Sequence, residues 1–409
     1  MPFRGVSVMD RRQEFVVFAM MPGANIRELC RRFGISPATA YKWLERYRRE
    51  GSVGLIERSR RPQASPRQTP PTMVAKVLAV REVSNNVWGG RKIRRTLRDN
   101  GEVDVPAAST ITEILRRYDR LTEAGAAEHP GRWQRFERAS PNELWQMDYK
   151  GHFAMHDGGR CHPLTALDDH SRYNIVLSAC GNEQGQTVRR ELENAFRRYG
   201  LPLAMLMDNG PPWGDPGGDP YTGFGVWLMR LGIRVLHGRP LHPQTQGKEE
   251  RFHRTLKAEV LNGRSFRDLA ECQKAFDEWR PRYNHERPHE ALGMATPAQR
   301  YRPSSRSFPE VLPAIEYAAG DHVRKVSSDG FIYFKNQAWR LSKAFRGQHV
   351  GLRATSEDGV FSIHYCAHRI ASLDLRQTES QACGLVDNAE TRCPQGPQAQ
   401  QQQPQTVSS

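Results

Sequence analysis

The 409-residue sequence predicts a multidomain protein: all-α helix-turn-helix modules at the N-terminus, a mixed α/β core in the middle and a small β-barrel near the C-terminus. Three observations carry that prediction. Apolar residues recur at helical spacing through the first 120 residues. From residue 144, short strand-like runs alternate with helical ones. From residue 321, short alternating runs are punctuated by Gly turns such as Asp329-Gly330 and Asp358-Gly359. A chain of this length exceeds what one compact core organises.

Charge is unevenly placed. The chain carries 60 Lys+Arg and 45 Asp+Glu, a formal +15, and residues 1–140 hold 27 of the basic and 15 of the acidic residues. A basic N-terminal end implies a polyanionic partner. The longest apolar runs, such as Phe15–Met21, are far too short to cross a bilayer, so no membrane partner is expected. Met1-Pro2-Phe3-Arg4 opens no export segment, which points to a cytoplasmic protein. Seven scattered cysteines without a C-x-x-C pair indicate neither a disulfide framework nor a zinc ribbon.

Within residues 1–56, Phe15, Phe18 and Ala19, then Ile26, Leu29, Cys30 and Phe33, then Ala40, Trp43, Leu44 and Tyr47 define three short helices. Gly34 follows Phe33 as a helix stop able to take positive φ, and Ser36 before Pro37 is an N-cap. The pattern is a helix-turn-helix whose second helix offers Thr39, Lys42 and Arg46 to a major groove, with a plain three-helix bundle as the alternative. Residues 57–71 contain four Arg and four Pro and read as a basic linker. Residues 72–124 form a second helical, helix-turn-helix-like DNA-binding unit: Met73–Val83, a basic helix after Trp88-Gly89-Gly90 carrying Arg91, Lys92, Arg94 and Arg95, and Ser109–Tyr118 capped by Ser109.

A core is expected over 140–305. Strands at 144–153, 162–168, 172–180 and 203–207, a helix at Gln184–Tyr199, a strand at Ile233–His237 and a long helix from Lys248 suit a mixed sheet covered by helices. Asp148 interrupts the apolar strand Trp145-Gln-Met-Asp-Tyr, Asp208 ends Met205-Leu-Met-Asp, and Glu250 opens the long helix. A carboxylate in an apolar strand is costly unless paired or metal-bound, and Mg²⁺ favours a few carboxylates plus water and phosphate oxygens. Two such ions can serve an in-line phosphoryl displacement.

These residues carry a resemblance. Leu-Trp-Gln-Met-Asp148-Tyr-Lys-Gly, Ala-Leu-Asp-Asp169-His-Ser-Arg-Tyr, Met-Asp208-Asn-Gly-Pro-Pro, His242-Pro-Gln-Thr-Gln-Gly-Lys-Glu-Glu250-Arg-Phe-His-Arg-Thr-Leu-Lys and Tyr283-Asn-His-Glu-Arg-Pro-His-Glu-Ala-Leu-Gly resemble the RNase H-like integrase core of DDE transposases and retroviral integrases. With the upstream helical units, the resemblance is to bacterial insertion-sequence transposases over residues 10–375. It implies catalytic and metal-binding roles for Asp148, Asp208 and Glu250, and two Mg²⁺ or Mn²⁺ ions with no small-molecule cofactor. It also implies double-stranded DNA as element ends and target, a homo-oligomer in the synaptic complex, and a nucleoid-associated location. The family hydrolyses the 3′ strand at element ends and uses the freed hydroxyl to attack target DNA.

Two acids compete for the third position. On a helix Glu249 falls with Phe252, Leu256 and Val260 on the apolar side, while Glu250 shares a face with Arg254 and Lys257, cations able to hold phosphates. That phase and the Gly-Lys-x-Glu-Arg-Phe pattern of the family select Glu250. Lys248, Arg254 and Lys257 join the expected DNA-binding residues. Asp208 and Glu250 are separated by 41 residues, and the Gly- and Pro-rich stretch Trp213–Gly223 reads as a surface loop that accounts for the length. Asp168-Asp169 reads as a strand-connecting turn, and His152, His156, Cys161 and His162 lack zinc-ligand spacing, so no structural zinc is expected. Residues 315–376 read as the small β-barrel, and the Gln- and Pro-rich tail 377–409 as disordered. The rivals to a transposase are a DNA-binding regulator with a relic core and a stand-alone nuclease of RNase H-like fold.

Overall fold

The computed structural model describes residues 8–58, 68–121, 137–215, 218–238, 247–376 and 383–385. It divides into two units, residues 1–68 and 69–409. Most of the basic linker lies outside the described residues.

In the first unit, α1 (Val8–Ala19), α2 (Ile26–Phe33) and α3 (Pro37–Glu50) close on a 3₁₀ turn, Gly51–Leu55. Local chemistry sets each boundary. Asn25 Oδ1 accepts from the Arg27 and Glu28 amides, Gly34 ends α2 at φ 65°, and Ser36 Oγ accepts from the Thr39 amide ahead of a first-turn proline. Phe15, Val16, Cys30, Ala40, Leu44 and Leu55 form the buried centre. Trp43 sits half-buried with the guanidinium groups of Arg12 and Arg46 over its ring at 4.0 and 5.1 Å.

The second unit opens with α4 (Pro71–Val83), α5 (Gly90–Asp99) and α6 (Ala108–Arg117), packed through Val77, Trp88, Ile93, Leu97, Ile111 and Leu115. A Cβ on Gly90 would lie 2.3 Å from the Ala108 carbonyl oxygen, so α5 crosses α6 at a distance only glycine allows. Ser109, expected as a cap, is the second residue of α6, which starts without a side-chain cap.

The central sheet contains β1 (Trp145–Tyr149), β2 (Phe153–Ala154), β3 (Arg160–Asp168), β4 (Asn174–Cys180), β5 (Ala204–Met207) and β6 (Arg234–His237). β3 pairs antiparallel with β1, β2 and β4, while β1–β5 and β5–β6 are parallel. The strand period of two sends alternate residues to two helical layers. Trp145, Met147, Leu164 and Ala166 meet Val188, Leu192 and Phe196 of α7 (Gly185–Tyr199) and Trp227 and Leu228 of α8 (Gly223–Arg230). Cys161, Leu167 and Leu177 meet Phe252 and Leu256 of α9 (Gly247–Leu256) and Phe276 and Trp279 of α10 (Leu269–Pro281). The chain between α9 and α10 starts with a π turn, Lys257–Leu261, and a second π turn, Arg282–Glu286, follows α10. A short α11 (Pro297–Arg300) precedes the C-terminal strands.

Those strands do not form the closed barrel expected among the described residues. β7 (His322–Lys325), β10 (His349–Ala354), β11 (Val360–Tyr365), β12 (His368–Asp374) and β13 (Gly384–Leu385) make one antiparallel sheet in the order β13-β12-β11-β10-β7, and β8 (Phe331–Phe334) with β9 (Gln337–Arg340) make a separate hairpin. The reason is edge length: β7 has four residues, three of them exposed, too short to carry the staggered ladder that closure needs. Within the tail expected to lack order, Gly384–Leu385 pair with β12 and Cys383 is buried; the rest of 377–409 lies outside the described residues.

The stretch Trp213–Gly223 also departs from the surface loop its Gly and Pro content suggests, although residues 216–217 lie outside the described residues. Its aromatics decide the matter. Trp213 and Tyr221 are buried, the Tyr221 hydroxyl donates to the Ile370 carbonyl at 2.7 Å, its ring meets Phe345 at 5.0 Å, and Ser342 Oγ donates to Asp219 Oδ2 at 2.7 Å. The segment therefore anchors the C-terminal sheet to the core.

Candidate active site

Register builds the site. Asp148 on β1 stands directly across from Thr165 on β3, and Asp208 leaves the end of β5, the parallel neighbour of β1. The two carboxylates come together. Burial, followed by the charge of Asp208, pushes Asp148 up to about 7, and burial raises Asp208 as well, against the Gly210 amide that donates to its Oδ1 at 3.2 Å. Glu183, in the turn before α7, adds negative charge felt by both and is itself paired with His162 at 2.8 Å. Tyr149 stacks on Trp213 at 5.6 Å, bracing the strand beside Asp148.

The two glutamates of α9 part company. Glu249 is wholly buried on the side of Phe252 and Leu256, as its phase on the helix predicts. Thr165 Oγ1, in contact with His253 Nε2 at 2.8 Å, donates to Glu249 Oε2 at 2.9 Å, while Glu249 Oε1 has no partner among the described residues. Burial, then the charge of Asp148, holds the Glu249 carboxyl well above the usual carboxylate range, and burial brings His253 down to about 4. Glu250 points outward, its side chain 68% exposed, with Arg254 at 4.0 Å. The structure thus brings Asp148 toward Asp208 and Glu249, and leaves Glu250 at the surface of the next helical phase.

Of the expected DNA-binding residues, Lys42, Arg91, Arg254 and Lys257 are exposed, Thr39 and Arg46 are half-buried, and Arg95 is paired with Asp99 at 2.8 Å. Arg94 is half-buried. Lys248 and Lys92 lie elsewhere. The Lys248 ammonium is bound to Asp169, a buried acid that also receives the Gln146 amide at 2.7 Å and the Arg138 backbone amide at 2.8 Å, and burial lowers this lysine to about 8. Asp168 accepts from the Asn142 and Ser171 amides and from Ser171 Oγ, which makes the pair the expected turn. Lys92 is half-buried beside Arg287, Glu259, Glu290 and Arg251, and burial lowers it to about 8.

That placement has a measurable outcome. A lysine held below its ordinary 10.5 destabilises the fold while protonated, and the deficit fades only as pH rises from about 8 toward 10.5. Lys92→Met is expected to raise stability at pH 7 by up to about 3 kcal/mol, an advantage that shrinks toward pH 10.5 in urea titrations. Equal stability of the two proteins at pH 7 would contradict it.

Residue reading from sequence passed over Thr165, His253 and Glu183. Thr165 and His253 were within reach, since Thr165 is a hydroxyl in an apolar strand and His253 lies one helical turn beyond Glu249. No sequence signal links Glu183 to Asp208.

Among the described residues, no three His, Cys, Asp or Glu side chains already form a metal cage. The donor set nevertheless fits Mg²⁺ or Mn²⁺: two hard carboxylates converge, and the charge of Asp208 raises the cost of ionising Asp148, while Mg²⁺ is commonly held by one or two carboxylates plus substrate phosphates.

Comparison with known proteins gives matches along the chain. Residues 138–243 and 231–297 match integrase core domain models, 11–63 a helix-turn-helix domain, 39–115 a homeodomain-like domain, and 321–381 the C-terminal domain of IS481 family transposases. The uncharacterized 39.2 kDa protein of insertion element IS476 from Xanthomonas euvesicatoria is 28% identical over 56% of this chain and 66% of its own length. The 31.7 kDa protein of insertion element IS407 from Burkholderia multivorans is 29% identical over 39% of this chain. The chain spans 66% and 55% of those two relatives. A protein of insertion sequence element IS5376 from Geobacillus stearothermophilus is 22% identical over 90% of this chain and 88% of its own length. Among solved structures, the HTLV-2 integrase catalytic core domain in complex with magnesium aligns with 40% of this chain and 99% of its own at 19% identity and a TM-score of 0.31. Between residues 11 and 381 the chain carries helix-turn-helix domains, an integrase core and an IS481-type C-terminal domain, and by that make-up it resembles the insertion-sequence transposases with a retroviral-integrase-like core.

Proposed function

We propose that this protein is a DDE transposase that binds the ends of a mobile element, hydrolyses the 3′ strand and transfers it into target DNA. The convergence of Asp148 and Asp208 at the ends of two parallel strands carries the reading. Asp148, Asp208 and Glu250 would hold two divalent ions, which when bound would supply Lewis-acid activation of the attacking oxygen and charge stabilisation at the leaving one.

Glu250 is the third acid because a phosphodiester arrives from solvent. Its carboxylate stands on the open side of α9 with Arg254 and with Lys257 just beyond, whereas Glu249 is enclosed. Arg254 and Lys257 hold phosphate oxygens, and Lys150, partly buried near Lys257, adds positive charge beside the strand that bears Asp148. Thr165 and His253 keep Glu249 in place behind the strand without taking part in proton transfer. The first module presents Lys42 and Arg46 of α3 to the element end, and two copies of the chain pair two ends in a synaptic complex. Because hydrolysis uses water to break one phosphodiester into a 3′-hydroxyl and a 5′-phosphate, and strand transfer breaks one phosphodiester as it makes another, no small-molecule cofactor is needed.

The test is direct. Full-length protein incubated with a labelled duplex carrying the element's terminal repeat and Mg²⁺ or Mn²⁺ is expected to yield a 3′-end nick and strand-transfer products, both lost with EDTA. Specific binding without any product in either metal would transfer the reading to a DNA-binding regulator.

A further inference from the structure

We infer that Glu259 is a positioning residue that clamps the second helical unit to the catalytic core, so that the two work as one rigid body; the consequence for where DNA is cut rests on the transposase reading above. Glu259 lies in the π turn that follows α9, and its side chain is only 3% exposed. Three charged or polar groups converge on its carboxylate. Oε1 accepts from the Trp88 indole N–H at 3.1 Å and from Arg287 Nε at 2.9 Å, and Oε2 accepts from the Trp279 indole N–H at 2.9 Å.

Trp88 belongs to the helical unit, while Trp279 and Arg287 belong to the core. The indole is not free to follow Glu259. Its amide donates to Ser84 Oγ at 3.2 Å, its carbonyl accepts from Arg81 Nη1, and its ring is packed with Val77, Ile93 and Leu97. Two further bonds cross the same seam: Asn85 Nδ2 donates to the Glu259 carbonyl, and Arg282 Nη1 donates to the Val83 carbonyl at 2.7 Å. The partners are 171, 174 and 199 residues apart in sequence, so only the docked arrangement satisfies them.

A second observation is independent of these bonds. Both π turns sit at this seam, one carrying Glu259 and the other Arg282 with Arg287 immediately after. A π turn inserts an extra residue into the helical ladder and re-aims the side chains beyond it, and such turns recur where function demands an off-register group. Here the re-aimed groups are the acid and the bases of the clamp. Parting the two leaves the Glu259–Arg287 pair intact in the core but strips the buried carboxylate of one donor and leaves the buried Trp88 N–H without its acceptor, a cost of the kind an unsatisfied buried polar group carries. The basic helix α5, which starts two residues after Trp88, therefore has a fixed place relative to the strand that bears Asp148, whatever path residues 122–136 take.

The experiment uses full-length wild type, Trp88→Phe, which removes one donor and keeps the ring, and Glu259→Gln. Hydrogen–deuterium exchange of peptides covering 82–92 and 255–262 is followed without DNA, and nick position is mapped on an end-labelled terminal-repeat duplex. In both variants exchange is expected to rise at both peptides but not in β1 or β5. End binding should stay near wild type, while the single nick spreads to neighbouring phosphates and falls by about 10²-fold at the original one, the scale for a small misplacement of reacting groups. Unchanged exchange in Trp88→Phe and Glu259→Gln overturns the clamp. Raised exchange with cutting confined to the wild-type phosphate at full yield overturns the positioning role. If wild type itself gives no nick, the transposase reading fails, and the exchange data alone decide the clamp.

Discussion

Glu250→Gln and Asp208→Asn are each expected to lose metal-dependent nicking and strand transfer by about 10³-fold or more, while Glu249→Gln keeps activity within about tenfold of wild type. The argument is where each acid stands. Asp208 and Glu250 offer oxygens that must be ionised to hold a cation, and the amide that replaces either offers one weaker oxygen and no charge. Glu249 is buried away from solvent and bound to Thr165, with burial disfavouring its charged form, so glutamine reproduces its shape and keeps an oxygen for that hydrogen bond at little cost. End binding measured in parallel separates chemistry from recognition, because neither Glu250 nor Asp208 is expected to support binding without metal. A reversed pattern, with Glu249→Gln inactive and Glu250→Gln active, would reassign the third acid to the enclosed position, which the structure already turns toward Asp148.

Asp148→Asn is expected to abolish activity and yet stabilise the metal-free protein at neutral pH. The folded-state carboxyl is pushed up to about 7 from an ordinary 3.8, so its contribution to stability is full below pH 4 and is lost as pH rises toward 7. A displacement of that size corresponds to about 4 kcal/mol at pH 7.5, and about half of it recovered in the variant would raise Tm by roughly 5 °C. Thermal unfolding in EDTA at pH 4 and pH 7.5 reads the effect: the variant should match wild type at pH 4 and exceed it at pH 7.5. Saturating Mg²⁺ should close the gap by stabilising only the wild type. A variant less stable than wild type at pH 7.5 would mean that Asp148 is held by groups other than a waiting cation.

Much of this was legible from side-chain periodicity. Gly34 and Ser36 are local signals that act within a few residues, and they mark the helix-turn-helix boundaries where the structure has them. The phase of α9 likewise separated Glu249 from Glu250, because a helix converts sequence spacing into faces without help from the rest of the chain. What escaped depends on long-range pairing. Trp213 and Tyr221 look like loop residues until Phe345 and Ile370, more than a hundred positions later, are seen to cover Tyr221. That Lys92, expected as a DNA contact, stands beside Arg287 and Glu290 is likewise invisible on its own helix. A closed barrel was expected from short alternating runs, yet alternation reports one buried face per strand and does not say whether the first strand meets the last.

The bond between Lys248 and Asp169 fixes more than one charge. Asp169 follows β3 in the turn to β4 and is itself held by Gln146 of β1, so the first turn of α9 is bolted to the sheet two residues before Glu250. That one bond sets the rotation of α9 about its own axis, and with it which of the two neighbouring glutamates is turned to the sheet and which to solvent.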